Sequence, residues 1–242
     1  MSTEKDRCTA IVLAAGSGSR MKSSVAKQFM MLGGKPLIWY ALNAVEQSEI
    51  IDDCILVTGE GDIPYVKKEI VEKYSFHKVT EIVAGGEERY ASVANALRET
   101  TNTEGYIFIH DGARPFLTEE ILKSSFETVK EFHACVAAVP SKDTVKMVDE
   151  EYFAIQTPDR KRVWNVQTPQ VFSAELICAA YERLKDRLPH LKEQGIMVTD
   201  DASVVEMFTN VKVKMVESSY RNIKITTPED LLVAEAFLAS KA

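Results

Sequence analysis

A loop rich in small residues follows the first apolar run of the chain and leads to basic residues. The run CTAIVL at residues 8–13 continues as AAGSGS, and Arg20 and Lys27 come next. Small residues let backbone N–H groups approach an oxyanion closely, and basic side chains neutralise charge that backbone dipoles leave uncompensated. The loop therefore predicts a site for a nucleotide or a sugar phosphate, although a lone GxG is also typical of a tight turn.

This loop differs from the two best-known phosphate-binding motifs. Gly16 and Gly18 fit the start of the GxGxxG dinucleotide fingerprint, but Met21 stands in the place of the third glycine. The second predicted strand also lacks a terminal acidic residue, because acidic residues follow only beyond Gly59. The GK dipeptide at residues 34–35 precedes a proline and not the Ser or Thr of a Walker loop. A NAD-dependent dehydrogenase and a P-loop enzyme are therefore disfavoured.

Glycines and polar residues follow other predicted strands as well. They are Gly85, Gly86, Arg89 and Ser92 after the third strand, Asp111 and Arg114 after the fourth, Asp143 and Thr144 after the fifth, and Asn222 and Lys224 near the last. Each alone is also typical of a helix cap, a turn or a solvated surface. Ligands of open α/β sheets bind beyond the carboxyl ends of the strands, so the loops together predict one shared site.

Apolar, β-branched runs alternate with helical patterns along the chain. The strand candidates are residues 9–15, 54–59, 79–85, 106–110, 134–140 and 211–217, and the helix candidates are residues 35–47, 64–74, 89–100 and 118–132. Thr227 before Pro228 fits the start of a further helix. This alternation predicts an α/β fold with a mainly parallel, Rossmann-like sheet and helices on both faces, in a single domain over residues 1–242.

Residues 143–172 break the alternation. The alternating runs VKMVD (145–149) and RVWNV (162–166) flank a polar middle, which predicts a β-hairpin or arm that projects from the sheet. Exposed Tyr152, Phe153 and Trp164 would then need a partner surface. An edge hairpin folded onto its own domain fits the pattern equally well.

Composition excludes several classes of protein. The 242 residues carry a net charge of −7, which argues against general binding to nucleic acid or an anionic membrane. No apolar run is long enough for a membrane helix, and the polar N-terminus does not resemble a signal peptide. The 4 cysteines lack paired spacing, which indicates free thiols and a cytoplasmic protein. The 4 histidines show no zinc-binding spacing, so a protein zinc site is not expected.

The motifs together resemble a known family. LAAGSGSRM and KQF, GGEERYASV, HDGARP, DTVK, QTPQVF, TDDASVVE and NIKITTPEDL resemble, in order, the 2-C-methyl-D-erythritol 4-phosphate cytidylyltransferases of the non-mevalonate isoprenoid pathway. The ribitol 5-phosphate cytidylyltransferases share much of this set and remain an alternative. An alternative from another class is a nucleotide-binding scaffold, which would keep the GxG loop without needing Lys27, Arg160 and Lys224.

The resemblance implies a Rossmann-like domain, CTP and a polyol phosphate as substrates, and Mg²⁺ as the cation. It also implies a homodimer whose arm, about 143–172, reaches the partner's active site. The catalytic residues it implies are Arg20, Lys27 and Lys224, with Arg160 from the partner's arm. It implies nucleotide binding by Ala14, Ala15, Gly16, Gly18, Gly86, Glu87, Arg89, Ser92 and Gly112. It implies polyol phosphate binding by Asp111, Arg114 and Thr144, with Thr168 from the partner's arm. No metal ligand is certain: the CTP phosphates would mainly hold Mg²⁺, with Asp111 as a candidate ligand.

The sequence departs from the family at two of these motifs. Ala26 stands where the family has proline before its KQF lysine, and Gly112 replaces alanine in HDAARP. Arg160 precedes Lys161 and Arg162, so its alignment to the family's arginine depends on spacing alone. Asp200 and Asp201 either touch a ligand or cap a helix that begins at Ala202, the interpretation that the pattern favours.

The implied reaction needs no general base. A phosphate monoester has a second pKa of about 6, so its oxygen is already ionised at neutral pH when it attacks the α-phosphorus of CTP. The difficulty is electrostatic, because an anion must approach a polyanion, and cations must align both partners and stabilise the leaving pyrophosphate.

Overall fold

The computed structural model describes residues 6–16 and 26–240, and its centre is a seven-stranded sheet. The strands are β1 (Cys8–Ala14), β2 (Met31–Leu32), β3 (Lys35–Pro36), β4 (Asp53–Thr58), β5 (Val79–Ala84), β6 (Tyr106–Asp111), β7 (Ala134–Pro140), β8 (Met147–Val148), β9 (Ala154–Gln156), β10 (Trp164–Ser173) and β11 (Lys214–Glu217). The sheet order is β11-β7-β10-β6-β1-β4-β5. Within this central sheet, all strand pairings are parallel except those of β10, which is antiparallel to both β6 and β7. The mainly parallel sheet predicted from the sequence is therefore confirmed.

Helices cover both faces of this sheet. They are α1 (Leu37–Gln47), α2 (Ile63–Tyr65) continuing as a π-helix over Val66–Glu72, α3 (Arg89–Glu99), α4 (Glu119–Phe132), α5 (Ala174–Glu193), α6 (Asp201–Phe208) and α7 (Pro228–Ala239). Alternate residues of β1 face opposite cores, since Ala10 and Val12 pack with α1 and α4 while Ile11 packs with α3 and α5. Burial on both faces explains why the parallel strands are continuously apolar.

Two helix starts determine where loops leave the sheet. Thr227 caps α7 through a capping box with Asp230, and Pro228 occupies the first turn, as predicted. Asp200 caps α6, with its carboxylate accepting from the Ser203 N–H at 3.0 Å. That helix begins at Asp201, one residue before the predicted start, and Asp201 has a different role that is described below.

The predicted pairing within residues 143–172 is wrong. Met147 pairs with Gln156, so the hairpin consists of β8 and β9, whereas Trp164 pairs with Pro140 of β7 inside the central sheet. This central strand is hard to recognise in the sequence, because polar residues interrupt the apolar run that is typical of a buried strand. Buried Gln170 is satisfied internally: its amide donates to Asp200 at 2.9 Å and accepts from the Ala202 N–H at 2.9 Å.

The β8–β9 hairpin projects from the sheet, and its apolar side chains are exposed in the single chain. They are Met147, Val148, Tyr152, Phe153 and Ile155, and Tyr152 is 86% exposed. This exposure differs from what an edge hairpin folded onto its own domain would show, and the hairpin is shorter than the predicted arm. Its role in dimerisation stays a prediction.

Two general features of the described chain bear on its environment. None of the helices in the described ranges is both long and apolar enough to cross a membrane. All four cysteines are free thiols: Cys8, Cys54 and Cys135 are buried and Cys178 is half-buried.

Candidate functional site

Two cavities open at the carboxyl edge of the parallel strands. The first cavity has a volume of about 380 Å³, and the predicted nucleotide-site residues that line it are Ala14, Ala15, Gly16, Lys27, Gly86, Glu87, Arg89 and Ser92. The second cavity has a volume of about 360 Å³ and lies beside β10, where the residues that line it include Arg114, Gln167, Thr168, Gln170, Thr199 and Asp200. The chain thus brings most of the predicted residues together in two adjacent spaces.

Arg89, Asp111 and Lys224 line both cavities and form a wall between them. Asp111 ends β6, and its Oδ2 lies 2.8 Å from Lys224 Nζ and 3.8 Å from Arg114 Nε, while its Oδ1 lies 3.5 Å from Arg89 Nε. Burial alone would raise the pKa of Asp111, but the charges of Arg89, Lys224 and Arg114 outweigh it and hold that pKa below its usual range. The carboxylate therefore stays ionised and orients three cations.

Lys224 reaches this wall because its segment is attached to the end of β6. The Ile225 N–H donates to the Ala113 carbonyl at 2.9 Å, and Ile225 is fully buried. Lys224 points the other way, with 38% of its side chain exposed. The alternation of Lys224 with apolar neighbours in the sequence therefore places a cation at the site.

Arg89 is fixed from behind by Asp201. Its Nη1 and Nη2 atoms donate to Asp201 Oδ1 and Oδ2 at 2.8 and 2.6 Å, and the Tyr181 hydroxyl donates to the same carboxylate at 2.6 Å. Burial would lower the pKa of Arg89, but the charges of Asp201 and Asp111 outweigh it and raise that pKa. Arg114 and Lys224 complete a cluster of three cations around Asp111 and Asp201, while Glu87 and Glu88 line the first cavity and Asp200 lines the second.

The glycines of the first cavity fall into two kinds. A Cβ at Gly85 would lie 2.2 Å from Ala15 Cβ, and one at Gly86 would lie 2.4 Å from Ala91 Cβ, so packing requires glycine at both positions. A Cβ at Gly16 meets no described atom within 4 Å, so it would enter the first cavity. The space beside Gly16 is therefore available to a ligand that approaches the backbone.

The cations of the opening loop are only partly described. Lys27 begins a short 3₁₀ turn, Lys27–Phe29, and lines the first cavity. Arg20 and Gly18 lie outside the described residues, and their roles stay predictions. Ala26, which stands where the family has proline, is extended, with φ −58° and ψ 135°, which is a conformation that proline also adopts.

A buried polar network supports the second cavity. The side-chain amide of Asn222 donates to the Thr168 carbonyl at 2.8 Å and to Gln167 Oε1 at 3.1 Å. The backbone carbonyl of Asn222 accepts from Arg114 Nη1 at 2.8 Å. Asn222 is fully buried. It therefore connects β10 to Arg114 and to the segment that carries Lys224.

Four predicted residues are placed differently from the rest. The expectation that Thr168 belongs to the projecting arm is wrong, because Thr168 is a buried residue of β10 beside its own chain's Asp111. Thr144 and Arg160 are exposed and line neither cavity of their own chain, and Arg160 Nη1 donates to the Lys142 carbonyl at 3.1 Å. Gly112 lines neither cavity, and its N–H donates to the Leu13 carbonyl at 2.8 Å.

The residues that support the site from behind were not identified from the sequence. Tyr181 lies in a segment that reads as ordinary core, and Gln170 lies within QTPQVF, where nothing marks its amide as a buried support. Asp201 had a detectable signal: a second carboxylate after the cap residue, in the first turn of an apolar helix, is better placed to pair inward than to cap.

Comparisons with known proteins agree with this geometry. The model of the IspD family, 2-C-methyl-D-erythritol 4-phosphate cytidylyltransferase, matches residues 8–240. The chain is similar to 2-C-methyl-D-erythritol 4-phosphate cytidylyltransferases of Lachnospira eligens, with 51% identity over 95% of this chain and 98% of that protein, and of Lachnoclostridium phytofermentans, with 46% identity over 96% and 97%. Its fold resembles the crystal structure of 4-diphosphocytidyl-2C-methyl-D-erythritol synthase from Anaerococcus prevotii, with a TM-score of 0.82, 35% identity and 97% of each chain covered. The chain therefore belongs to the 2-C-methyl-D-erythritol 4-phosphate cytidylyltransferase family.

Proposed function

We propose that the protein transfers the cytidylyl group of CTP to 2-C-methyl-D-erythritol 4-phosphate. The products are pyrophosphate and 4-diphosphocytidyl-2-C-methyl-D-erythritol. The observation that carries the proposal is the wall of Arg89, Asp111 and Lys224, which separates a glycine-lined cavity from a second, polar cavity. Two substrates bound on either side of this wall would meet at the cationic groups of Arg89 and Lys224.

The site performs the chemistry by electrostatics and alignment. CTP fits the first cavity, where the space beside Gly16 is open to a ligand and Lys27 would face the phosphates. The acceptor phosphate fits the second cavity, beside Arg114 and Lys224. Its attacking oxygen is ionised at neutral pH, so no residue has to remove a proton. Lys27 and Arg20 would stabilise the charge that develops on the leaving pyrophosphate.

Mg²⁺ would enter with the nucleotide. In the described part of the chain, no group of three or more acidic, histidine or cysteine side chains could hold a metal ion. Both carboxylate oxygens of Asp111 already face cations, at 2.8 Å and 3.5 Å. We therefore assign the ion mainly to the triphosphate oxygens, where it would neutralise charge, with Asp111 as the one carboxylate that both cavities share.

The arm would complete the site in a homodimer. Its exposed Tyr152 and Phe153 are suited to a second copy of the chain, because large apolar patches rarely stay in water. Arg160 sits at the base of the arm, exposed and outside both cavities of its own chain, as a residue acting in the partner's site would be. The free thiols fit a reducing cytoplasm, which is where we place the enzyme.

Pyrophosphate release by the purified protein tests the reaction. The assay contains CTP and Mg²⁺, with methylerythritol 4-phosphate and ribitol 5-phosphate as parallel acceptors and ATP, GTP and UTP as nucleotide controls. We expect release that depends on CTP and on the methylerythritol acceptor. Preference for ribitol phosphate would move the protein to polyol-phosphate synthesis. Binding of CTP without release in either case would indicate a scaffold and refute the proposal.

Mixing inactive variants tests the shared site. Arg160→Ala and Lys27→Ala disable different halves of the site if Arg160 acts in the partner. Heterodimers formed from the two variants then contain one intact site, so they should regain up to half of the activity per dimer. Well-formed heterodimers that stay as inactive as their parents would place Arg160 outside the partner's site.

A further inference from the structure

The ring of His110 bridges two parts of the second cavity. His110 is 1% exposed, at the position before Asp111 in β6. Its Nε2 lies 3.2 Å from the Arg114 carbonyl oxygen, and its Nδ1 lies 3.0 Å from the Thr168 hydroxyl oxygen. His110 is not among the residues to which the family resemblance gives a role.

The direction of each hydrogen bond follows from these partners. A carbonyl oxygen only accepts, so Nε2 carries the ring proton and donates to the Arg114 carbonyl. The ring is buried and its two partners, a carbonyl and a hydroxyl, are uncharged, so a protonated ring would be a buried charge without a counter-ion. The ring is therefore neutral and its Nδ1 has a free lone pair. The Thr168 hydroxyl therefore donates to Nδ1.

The hydroxyl proton of Thr168 is therefore engaged in the hydrogen bond to His110 Nδ1. Its oxygen also accepts from the Asp111 N–H at 3.1 Å, which occupies one of its two lone pairs. The residue lines the second cavity, and the remaining lone pair is all that its hydroxyl can offer to a ligand. A phosphate dianion consists of acceptors alone, so it gains nothing from that lone pair, whereas a ligand hydroxyl can donate to it.

We propose that His110 is a positioning residue that makes Thr168 a hydrogen-bond acceptor, so that Thr168 contacts a hydroxyl of the bound polyol phosphate and not its phosphate. The inference rests on the proposed function and refines it. It changes the role that the family resemblance implies for Thr168, which was to position the phosphate. The phosphate is then left to Lys224 and Arg114, whose charges face the same cavity.

A cycle of protein and substrate changes tests this assignment. Thr168→Val removes the hydroxyl at nearly constant volume, and monodeoxy analogues of methylerythritol 4-phosphate each remove one acceptor hydroxyl. We expect Thr168→Val to lower kcat/KM for the parent acceptor about fivefold to tenfold, as for a lost neutral hydrogen bond. One analogue should lose about as much with the unchanged enzyme and nothing further with the variant. An equal loss with every analogue would mean that Thr168 binds phosphate or only supports the fold, and would overturn the proposal.

A variant at His110 separates positioning from packing. His110→Gln keeps a donor for the Arg114 carbonyl but has no acceptor in the place of Nδ1, so the Thr168 proton is released. The discrimination against that same deoxy analogue should then disappear although Thr168 is unchanged. Thr209→Val is the matched control, because it removes a hydroxyl that donates to the Val205 carbonyl at 2.8 Å, at the opposite edge of the sheet. It should leave all the ratios as they are.

The tautomer can be read without any variant. The ¹⁵N chemical shifts of the His110 ring, in protein labelled at histidine and saturated with acceptor, distinguish the two neutral tautomers from the imidazolium ion. The Nε2–H tautomer is expected, and either other form would overturn the proposal. If the protein does not turn over methylerythritol phosphate at all, the proposed function fails, while the tautomer measurement still judges the role of His110 separately.

Discussion

The ion pair between Arg89 and Asp201 should be strongly asymmetric in its effect on stability. The Asp201 side chain is 0% exposed, whereas 27% of the Arg89 side chain reaches solvent. Arg89→Met leaves a buried carboxylate with only the Tyr181 hydroxyl, and breaking a buried pair in this way costs about 3–5 kcal/mol. Asp201→Asn keeps an acceptor for Tyr181 and leaves an arginine that water and Asp111 still stabilise. We expect it to cost about 1–3 kcal/mol.

The double variant gives the sharper test. Without both charges, no buried ion remains uncompensated, so Arg89→Met with Asp201→Asn should be more stable than Arg89→Met alone. This corresponds to a coupling of roughly 2 kcal/mol or more. Urea unfolding at pH 7 and one fixed protein concentration measures all four proteins, with the m-values compared to confirm that the transitions are alike.

A matched arginine on the same helix provides the control. Arg98 lies on the exposed face of α3 and donates to Asn95 Oδ1 at 2.9 Å. Arg98→Met should change stability by less than about 0.5 kcal/mol. If Arg89→Met costs under about 1 kcal/mol, or if the two single effects simply add, then Asp201 is not a buried charge that depends on Arg89. The account of how Arg89 is held in place would then fail with it.

Three further predictions concern other parts of the site. Because burial lowers the pKa of His110 from 6.5 to about 4, the unfolded chain takes up a proton before the folded chain as the pH falls. Stability should therefore decrease by about 3 kcal/mol between pH 6.5 and 4, and His110→Gln should remove this part of the slope in urea unfolding. Gly85→Ala should destabilise the fold by about 1–3 kcal/mol because its Cβ would meet Ala15 at 2.2 Å, while Gly16→Ala should leave stability unchanged and weaken CTP binding in calorimetry. Lys27→Ala should lower kcat about a hundredfold in the pyrophosphate assay.

Each of these has an outcome that would contradict it. An unchanged pH slope in His110→Gln would mean that the ring is protonated in the folded state. Equal CTP affinity in Gly16→Ala and the parent would show that no nucleotide occupies the space beside that glycine. The control for Lys27 is Lys67→Ala, an exposed lysine distant in sequence from the loop. If the two lysine variants turn over equally well, the first cavity does not use Lys27 as a cation.

The strands that are buried on both faces could be predicted, because such burial makes their sequences continuously apolar. β1 and β4 are continuously apolar because each contacts a core on either side, and their runs were recognised for that reason. β10 was missed because its buried stretch contains Gln167 and Gln170, whose hydrogen bonds come from segments far along the chain. α5 was not identified either, and it includes Pro189 within the helix.

The residues that line the first cavity were easier to predict than the residues that hold them in place. Gly86 and Lys27 belong to local motifs, because glycine-rich loops and nearby basic residues indicate a phosphate-binding site. Asp201 and Tyr181 act only through Arg89, which lies more than a hundred positions from Asp201 along the chain. Such contacts depend on how α3, α5 and α6 pack, and no local pattern encodes that packing. Thr168 shows the same limit, because its motif marked the residue correctly but not the strand that carries it.

The wall shared by the two cavities also makes the two substrates thermodynamically dependent on each other. Lys224 cannot turn toward an acceptor phosphate without changing the field that Asp111 exerts on Arg89, and so on a nucleotide next to it. If bound CTP changes the affinity for the acceptor by some factor, then bound acceptor changes the affinity for CTP by the same factor. This follows because both changes measure one coupling free energy. If the two substrates bind as proposed, a single buried carboxylate thus couples their affinities. Calorimetric titrations of each ligand in the presence and absence of the other would give the coupling free energy.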